Sequence, residues 1–135
     1  MALFDWDEKL ATGNAQIDAE HKQLFALAAG LHKAILEAHG HDVIGALLGK
    51  LISYTAGHFA HEEALMKATA YPGTATHVGH HHDLVKQVTT LQSEFAAGKA
   101  LDTLAVMDFL KNWLRHHIGQ EDKKLADHAK HKHAA

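Results

Sequence analysis

The chain has 135 residues, of which 47% are hydrophobic, and carries a formal charge of −3 with 16 acidic against 13 basic side chains. That length fits one domain able to bury its own core, and the charge offers no electrostatic footprint for nucleic acid or an anionic membrane. With no cysteine, disulfides, thiolate metal sites and cysteine nucleophiles are excluded. Histidine is the outlier at 15 residues.

The first eight residues, Met1 to Glu8, are acidic and lack the basic and apolar regions of a signal peptide. No stretch approaches the roughly 18 apolar residues of a membrane span. A cytoplasmic protein with no membrane insertion and no nucleic-acid partner is therefore expected, beginning in an N-terminal extended arm. Apolar spacing then predicts helices throughout, and period-two alternation is absent.

The first helix is expected over 18–38, with Asp18 as N-cap and the inward stripe His21, Leu24, Ala28, Leu31 and Ile35. After a break at Gly40, the second runs over 42–66 with Ile44, Leu48, Leu51, Thr55, His58, Glu62 and Leu65 inward. Pro72, the only proline, interrupts the helical pattern in the turn Tyr71-Pro72-Gly73-Thr74. The third helix, 74–97, carries His77, His81, Leu84, Val88, Leu91 and Phe95, and stops near Gly98. The fourth, 102–118, carries Val106, Leu110, Trp113 and His117. Residues 1–122 thus read as an all-α, up-down-up-down four-helix bundle domain. Residues 123–135 read as a short His/Lys/Ala-rich C-terminal tail, a frayed helical end rather than a metal-binding segment.

Six potential ligands fall into three pairs: His58 with Glu62, His77 with His81, and His117 with Asp122. His21 stands upstream as a seventh. The first two pairs are spaced i, i+4, which places both side chains on one helix face. Five imidazoles and two carboxylates are too many for one tetrahedral zinc. They suit two metal ions sharing carboxylate bridges, with iron as the leading candidate. Each histidine and Glu62 continues a hydrophobic stripe and so points into the core. Glu62 is the most telling, because a buried glutamate costs several kcal/mol unless paired or metal-bound, and no Lys or Arg lies on the opposing stripes. Asp122 breaks the pattern: five residues from His117 is about 140° away on an ideal helix. Local overwinding, a π-bulge or a helix end near Gly119 would be needed to aim it inward.

The remaining histidines fall elsewhere. His61, His80, His82 and His116 lie off the stripes, facing solvent or the outer side of the ligands. His32, His39 and His41 sit near the first interhelix loop, and His128, His131 and His133 in the tail. Glu63, rotated about 100° from Glu62, reads as a surface charge. A zinc-protease motif beginning at His61 lacks its second histidine. The Glu-x-x-His pairs of ferritin-like di-iron sites are also absent. An imidazole-rich set stabilises highly oxidised iron less well than a carboxylate-rich one, which favours reversible binding over oxidation chemistry.

Four stretches in order carry a family resemblance: Ile17-Asp18-Ala19-Glu20-His21-Lys22-Gln23-Leu24-Phe25, then Tyr54 to Met66, then Tyr71-Pro72 with His77 and His81. The last is Trp113-Leu114-Arg115-His116-His117-Ile118 followed by Asp122. Here the chain resembles the hemerythrin family, specifically its bacterial single-domain members. The resemblance implies two iron ions, one taking His77, His81 and His117 and the other His21 and His58. Glu62, Asp122 and an oxo or hydroxo group would bridge them, leaving an open position for O2 on the two-histidine iron. It also implies an apolar O2 pocket from Phe59, Trp113 and Ile118, residues that ordinary core packing explains equally well. Asn14, where relatives carry an aliphatic residue, and Leu125, where many carry tyrosine, depart from the pattern.

The expected function is an oxygen carrier, storage or delivery protein rather than an enzyme, acting as a monomer, with an oxygen-consuming enzyme as the candidate recipient. The alternatives are an O2 or redox sensor acting through a partner and a di-iron enzyme that removes peroxide or nitric oxide.

Overall fold

The structure, a computed structural model, describes residues 6–38, 40–99 and 103–134. Among these there is no strand. The helices are α1 (Ala15–Leu36), α2 (His41–Thr69), α3 (Thr74–Ala96) and α4 (Thr103–His116). A π-helical turn, His117–Asp122, leads from α4 directly into α5 (Lys123–Ala134). The last three segments form one continuous fourth arm of the bundle. Helix α1 packs on α2 and α4, and α2 on α3 and α5. The arrangement is the all-α four-helix bundle expected from the apolar stripes.

Several boundaries differ from the expected ones for local reasons. Helix α1 begins at Ala15, three residues before Asp18, because the Asn14 side chain caps it by accepting from the Ile17 N–H at 3.0 Å. Asp18 instead accepts from the Thr12 N–H (2.8 Å), the Thr12 hydroxyl (2.7 Å) and the Gly13 N–H (3.2 Å), tying down the segment before the helix. Helix α2 continues past Met66 to Thr69 and ends at Ala70, whose left-handed φ of 51° lets the Tyr71 N–H reach the Met66 carbonyl at 3.0 Å. The expected start of the fourth helix at 102, His39, residues 1–5 and the side chain of His133 lie outside the described residues.

Two expectations about the chain ends are corrected. The described part of the N-terminal arm is not simply extended: Glu8–Leu10 form a 3-10 turn capped by Asp7. Leu10 is buried beneath it, and Trp6 meets Phe25 edge-on at 5.6 Å. The segment after 122 is not a frayed tail. Leu125, Ala126 and Ala129 are buried, and the His128 ring lies 2.7 Å from the Thr69 carbonyl at the end of α2. Spacing of i, i+1, i+4 gives α5 a narrow apolar stripe, enough to dock on α2 despite its polar composition.

The main core runs down one end of the bundle through Leu24, Phe25, Leu31, Leu48, Leu51, Leu110, Leu114 and Ile118. Helix α2 is long and apolar enough to cross a bilayer by length and composition. Leu48, Leu51, Phe59 and Met66 on it are nonetheless buried against neighbouring helices, as a core helix requires. Its buried face also carries the polar residues described next.

Candidate metal centre

All seven expected ligands converge at one depth in the bundle. His21 comes from α1, His58 and Glu62 from α2, His77 and His81 from α3, and His117 and Asp122 from the π turn. Each is at most 3% exposed. The i, i+4 pairs aim inward as helical geometry dictates. The π turn resolves Asp122: widening the turn to an i→i+5 repeat brings residues five apart onto one face, and Asp122 Oδ1 lies 3.0 Å from His117 Nε2. The N-terminal turn braces this irregular segment. Leu10 packs within 3.6 Å of where a side chain on Gly119 would begin, and the Lys123 ammonium donates to the Lys9 carbonyl at 2.7 Å.

Within the cluster the ligand atoms divide into two sets that share the carboxylates: Glu62, His77, His81, His117 and Asp122, and His21, His58, Glu62 and Asp122. Asp122 Oδ1 lies 2.9 Å from His77 Nε2 and 3.0 Å from His117 Nε2, while its Oδ2 lies 2.7 Å from His21 Nε2. Glu62 Oε1 lies 3.0 Å from His81 Nε2 and 3.7 Å from His77 Nε2. Its Oε2 faces His58 Nε2 at 3.5 Å and His21 Nε2 at 3.9 Å. Each carboxylate therefore presents one oxygen to a three-histidine compartment and the other to a two-histidine compartment. The His77 ring stands nearly perpendicular to those of His81 (75°) and His117 (89°), so the three imidazoles form a tripod.

The donor set tests whether metal ions belong here. Eleven buried side-chain nitrogen and oxygen atoms among the described residues have no hydrogen-bond partner, and all belong to these seven residues. Buried polar atoms are almost always satisfied, and each orphan costs roughly 1–3 kcal/mol. The closest N···O pairs lack hydrogen-bond alignment, yet their spacing is that of neighbouring ligands: bonds of roughly 2.1 Å at right angles put ligand atoms about 3 Å apart. The residues fit a pair of metal ions.

Electrostatics agree. Burial disfavours charge on Asp122 and Glu62, but the surrounding imidazoles outweigh it and hold both carboxyls below their ordinary range, Asp122 well below. Burial likewise opposes protonation of His77, yet the Asp122 and Glu62 carboxylates push it up to about 9. Cationic charge is thus favoured at this point. At His117 burial prevails and its proton affinity falls below the ordinary value.

Aromatic rings seal the three-histidine side. Phe59 stacks on His81 (3.7 Å, 4°) and Trp113 on His117 (4.4 Å, 13°). Ile118 is buried in the main core. A cavity of about 20 Å³ lies between the helices, bounded by Leu24, Leu51, Thr55, Leu110, Trp113 and Leu114 among others. Of the off-stripe histidines, His82 and His116 are exposed and His80 is partly so. His61 is exposed but places Nδ1 2.5 Å from Glu20 Oε2.

Two residues beside the ligands need a different reading. Glu63 is not merely a surface charge, because its Oε2 lies 3.0 Å from Nδ1 of His81. Glu20, which periodicity had not singled out, places Oε1 2.7 Å from Nδ1 of His58. Burial works against its charge, but the hydrogen bonds from His58 and His61 hold its carboxyl below the ordinary value.

A four-helix bundle enclosing two histidine compartments joined by shared carboxylates defines a di-metal-binding protein. Comparison with known proteins gives the family: residues 12–129 match the Hemerythrin HHE cation binding domain, and the chain belongs to the hemerythrin family. It is 34% identical over 131 residues to a bacteriohemerythrin of Stenotrophomonas maltophilia, covering 96% of this chain and 84% of that one. It is 33% identical over 124 residues to a bacteriohemerythrin of Methylococcus capsulatus, covering 91% and 94%. A crystal structure of wild-type hemerythrin superposes with a TM-score of 0.82 at 32% identity, covering 88% of this chain and 92% of that one. Family, fold and buried cluster together make this a non-haem di-iron protein that binds O2.

Proposed function

We propose that the protein is a reversible O2 carrier of the cytoplasm, storing O2 or delivering it to an oxygen-consuming enzyme, and that it catalyses no reaction of its own. In this reading His77, His81 and His117 would hold one iron and His21 and His58 the other, with the Glu62 and Asp122 carboxylates shared between the two compartments. The observation that carries it is the split of both carboxylates between the two compartments, with imidazole as the dominant ligand. When bound, the iron pair supplies the electrons for taking up O2 and recovers them on its release.

The protein's part is to limit what else happens. Phe59 and Trp113 cover imidazole faces and withhold water and protons. The small cavity is walled almost entirely by apolar side chains. It has about the volume of one water-sized molecule yet offers water few polar partners, which suits an apolar diatomic. All seven ligands come from one chain, so a monomer suffices. The domain of this reading runs from the N-terminal turn through α5, since α5 covers the end of α2.

A spectrum of the reduced protein in air and then under argon tests the reading. A visible band that appears in air and vanishes under argon without added reductant is the carrier outcome. Irreversible oxidation with turnover of peroxide or nitric oxide would instead make the protein an enzyme.

A further inference from the structure

The outer nitrogens of the ligand imidazoles are not treated alike. His58 Nδ1 donates to Glu20 Oε1 at 2.7 Å, and His81 Nδ1 donates to Glu63 Oε2 at 3.0 Å. The Nδ1 atoms of His21 and His77 have no such partner. His58 belongs to the two-histidine compartment and His81 to the three-histidine one. Each compartment thus has one imidazole anchored from outside by a glutamate that does not itself enter the cluster. Each anchor also crosses a helix junction, Glu20 reaching from α1 to α2 and Glu63 from α2 to α3.

We propose that Glu20 and Glu63 are positioning residues, one dedicated to each iron. This rests on the di-iron reading of the site. A carboxylate accepting from Nδ1–H fixes the tautomer that turns the Nε2 lone pair inward, restrains the ring about its Cβ–Cγ bond and makes the imidazole a stronger donor. The two anchors are unequal. The Glu20 side chain is 13% exposed and has its second oxygen occupied by His61, so its geometry is held from both ends. The Glu63 side chain is 38% exposed and more screened by solvent, while Phe59 independently fixes the His81 ring by stacking. Glu20 is therefore the stronger determinant, and the two-histidine iron is the one that depends on its anchor.

The experiment compares wild type, Glu20→Ala, Glu20→Gln, Glu63→Ala and the exposed control Glu94→Ala. Each apo-protein is titrated anaerobically with ferrous iron against a competing chelator, with the midpoint potential of the iron pair as second readout and far-ultraviolet circular dichroism as the fold check. Glu20→Ala should weaken one of the two iron-binding steps about 10–100-fold and leave the other unchanged. Glu63→Ala should weaken the other step by a smaller factor. Glu20→Gln, whose amide oxygen still accepts from Nδ1–H but carries no charge, should keep both irons and raise the midpoint potential. Should Glu20→Ala lose helix content, Glu20→Gln decides through its potential. Glu20 variants matching Glu94→Ala in affinity and potential, or Glu20→Ala weakening both steps equally, would overturn the inference while wild type still binds two irons. Wild type that binds none would overturn the di-iron reading as well.

Discussion

Asp122 Oδ1 sits 3.0 Å from Nε2 of His117, five residues earlier, a pairing that an ordinary α-helix cannot make and that one π turn provides. The same carboxylate faces His21 with its other oxygen, so the irregular turn is what lets one side chain serve both compartments. Removing it should therefore do more damage than removing a histidine. Asp122→Ala should lower iron from two per chain to less than one, whereas His81→Ala should chiefly affect one iron. His80→Ala and His82→Ala, equal in lost imidazole but outside the cluster, should keep both. Elemental analysis after dialysis checks this, and equal losses at His80 and His81 would refute the assignment of faces.

Iron should also hold the bundle together, increasingly so as pH rises. The folded protein without iron has His77 raised to about 9 from an ordinary 6.5. Its protonation stabilises the fold fully below about pH 6.5, and that contribution is lost as pH rises through 9. Asp122 and Glu62 are depressed from 3.8 and 4.5, so their contribution holds above those values and is lost on acidification. Apo-protein should thus lose stability as pH rises from 6.5 to 9 and again as the two carboxylates protonate in acid, while His117, whose proton affinity is lowered by burial, works against the fold below pH 6.5. Iron requires a deprotonated His77, so the gap between iron-loaded and apo melting temperatures should widen from pH 6.5 to 9. Thermal melts by circular dichroism measure it, and coincident apo and iron-loaded curves would contradict burial of the ligands together.

The C-terminal helix should be part of the stable fold. Leu125 is fully buried, so Leu125→Ala should cost about 2–4 kcal/mol from lost burial plus the cavity left behind. Denaturant unfolding checks this, and a cost below roughly 0.5 kcal/mol, the range of surface changes, would return the segment to the status of a tail.

Ala70 ends α2 in the left-handed conformation, which strains any residue with a Cβ by roughly 1–2 kcal/mol. Ala70→Gly relieves that strain but gives up some unfolded-state restriction, so the net effect should be stabilisation of about 1 kcal/mol. Denaturant midpoints of the two forms test it, with iron content expected to stay unchanged.

How much of this could be read in the sequence follows from what periodicity can encode. Six of the proposed ligands sit on 3.6-residue stripes with apolar neighbours such as Leu24, Leu51 and Leu84, and both their inward direction and the bundle followed from that periodicity. Asp122 did not, because a π turn is an insertion into the period and becomes visible only once its ends are placed. Helix α5 was hidden by its Lys, Ala and His content, since three small or apolar residues make too narrow a stripe until α2 is there to receive it. Glu20 and Glu63 were illegible for another reason. Each lies on the flank of its own helix, and only the partner helix shows that the flank faces His58 or His81.

The most direct test of the central claim counts gas and metal together. Protein reconstituted anaerobically with ferrous iron should hold two irons per chain, take up one O2 for each pair, and return that O2 to the gas phase when the solution is purged, over repeated cycles. Uptake without return, or uptake that continues beyond one O2 per pair of irons, would contradict reversible carriage.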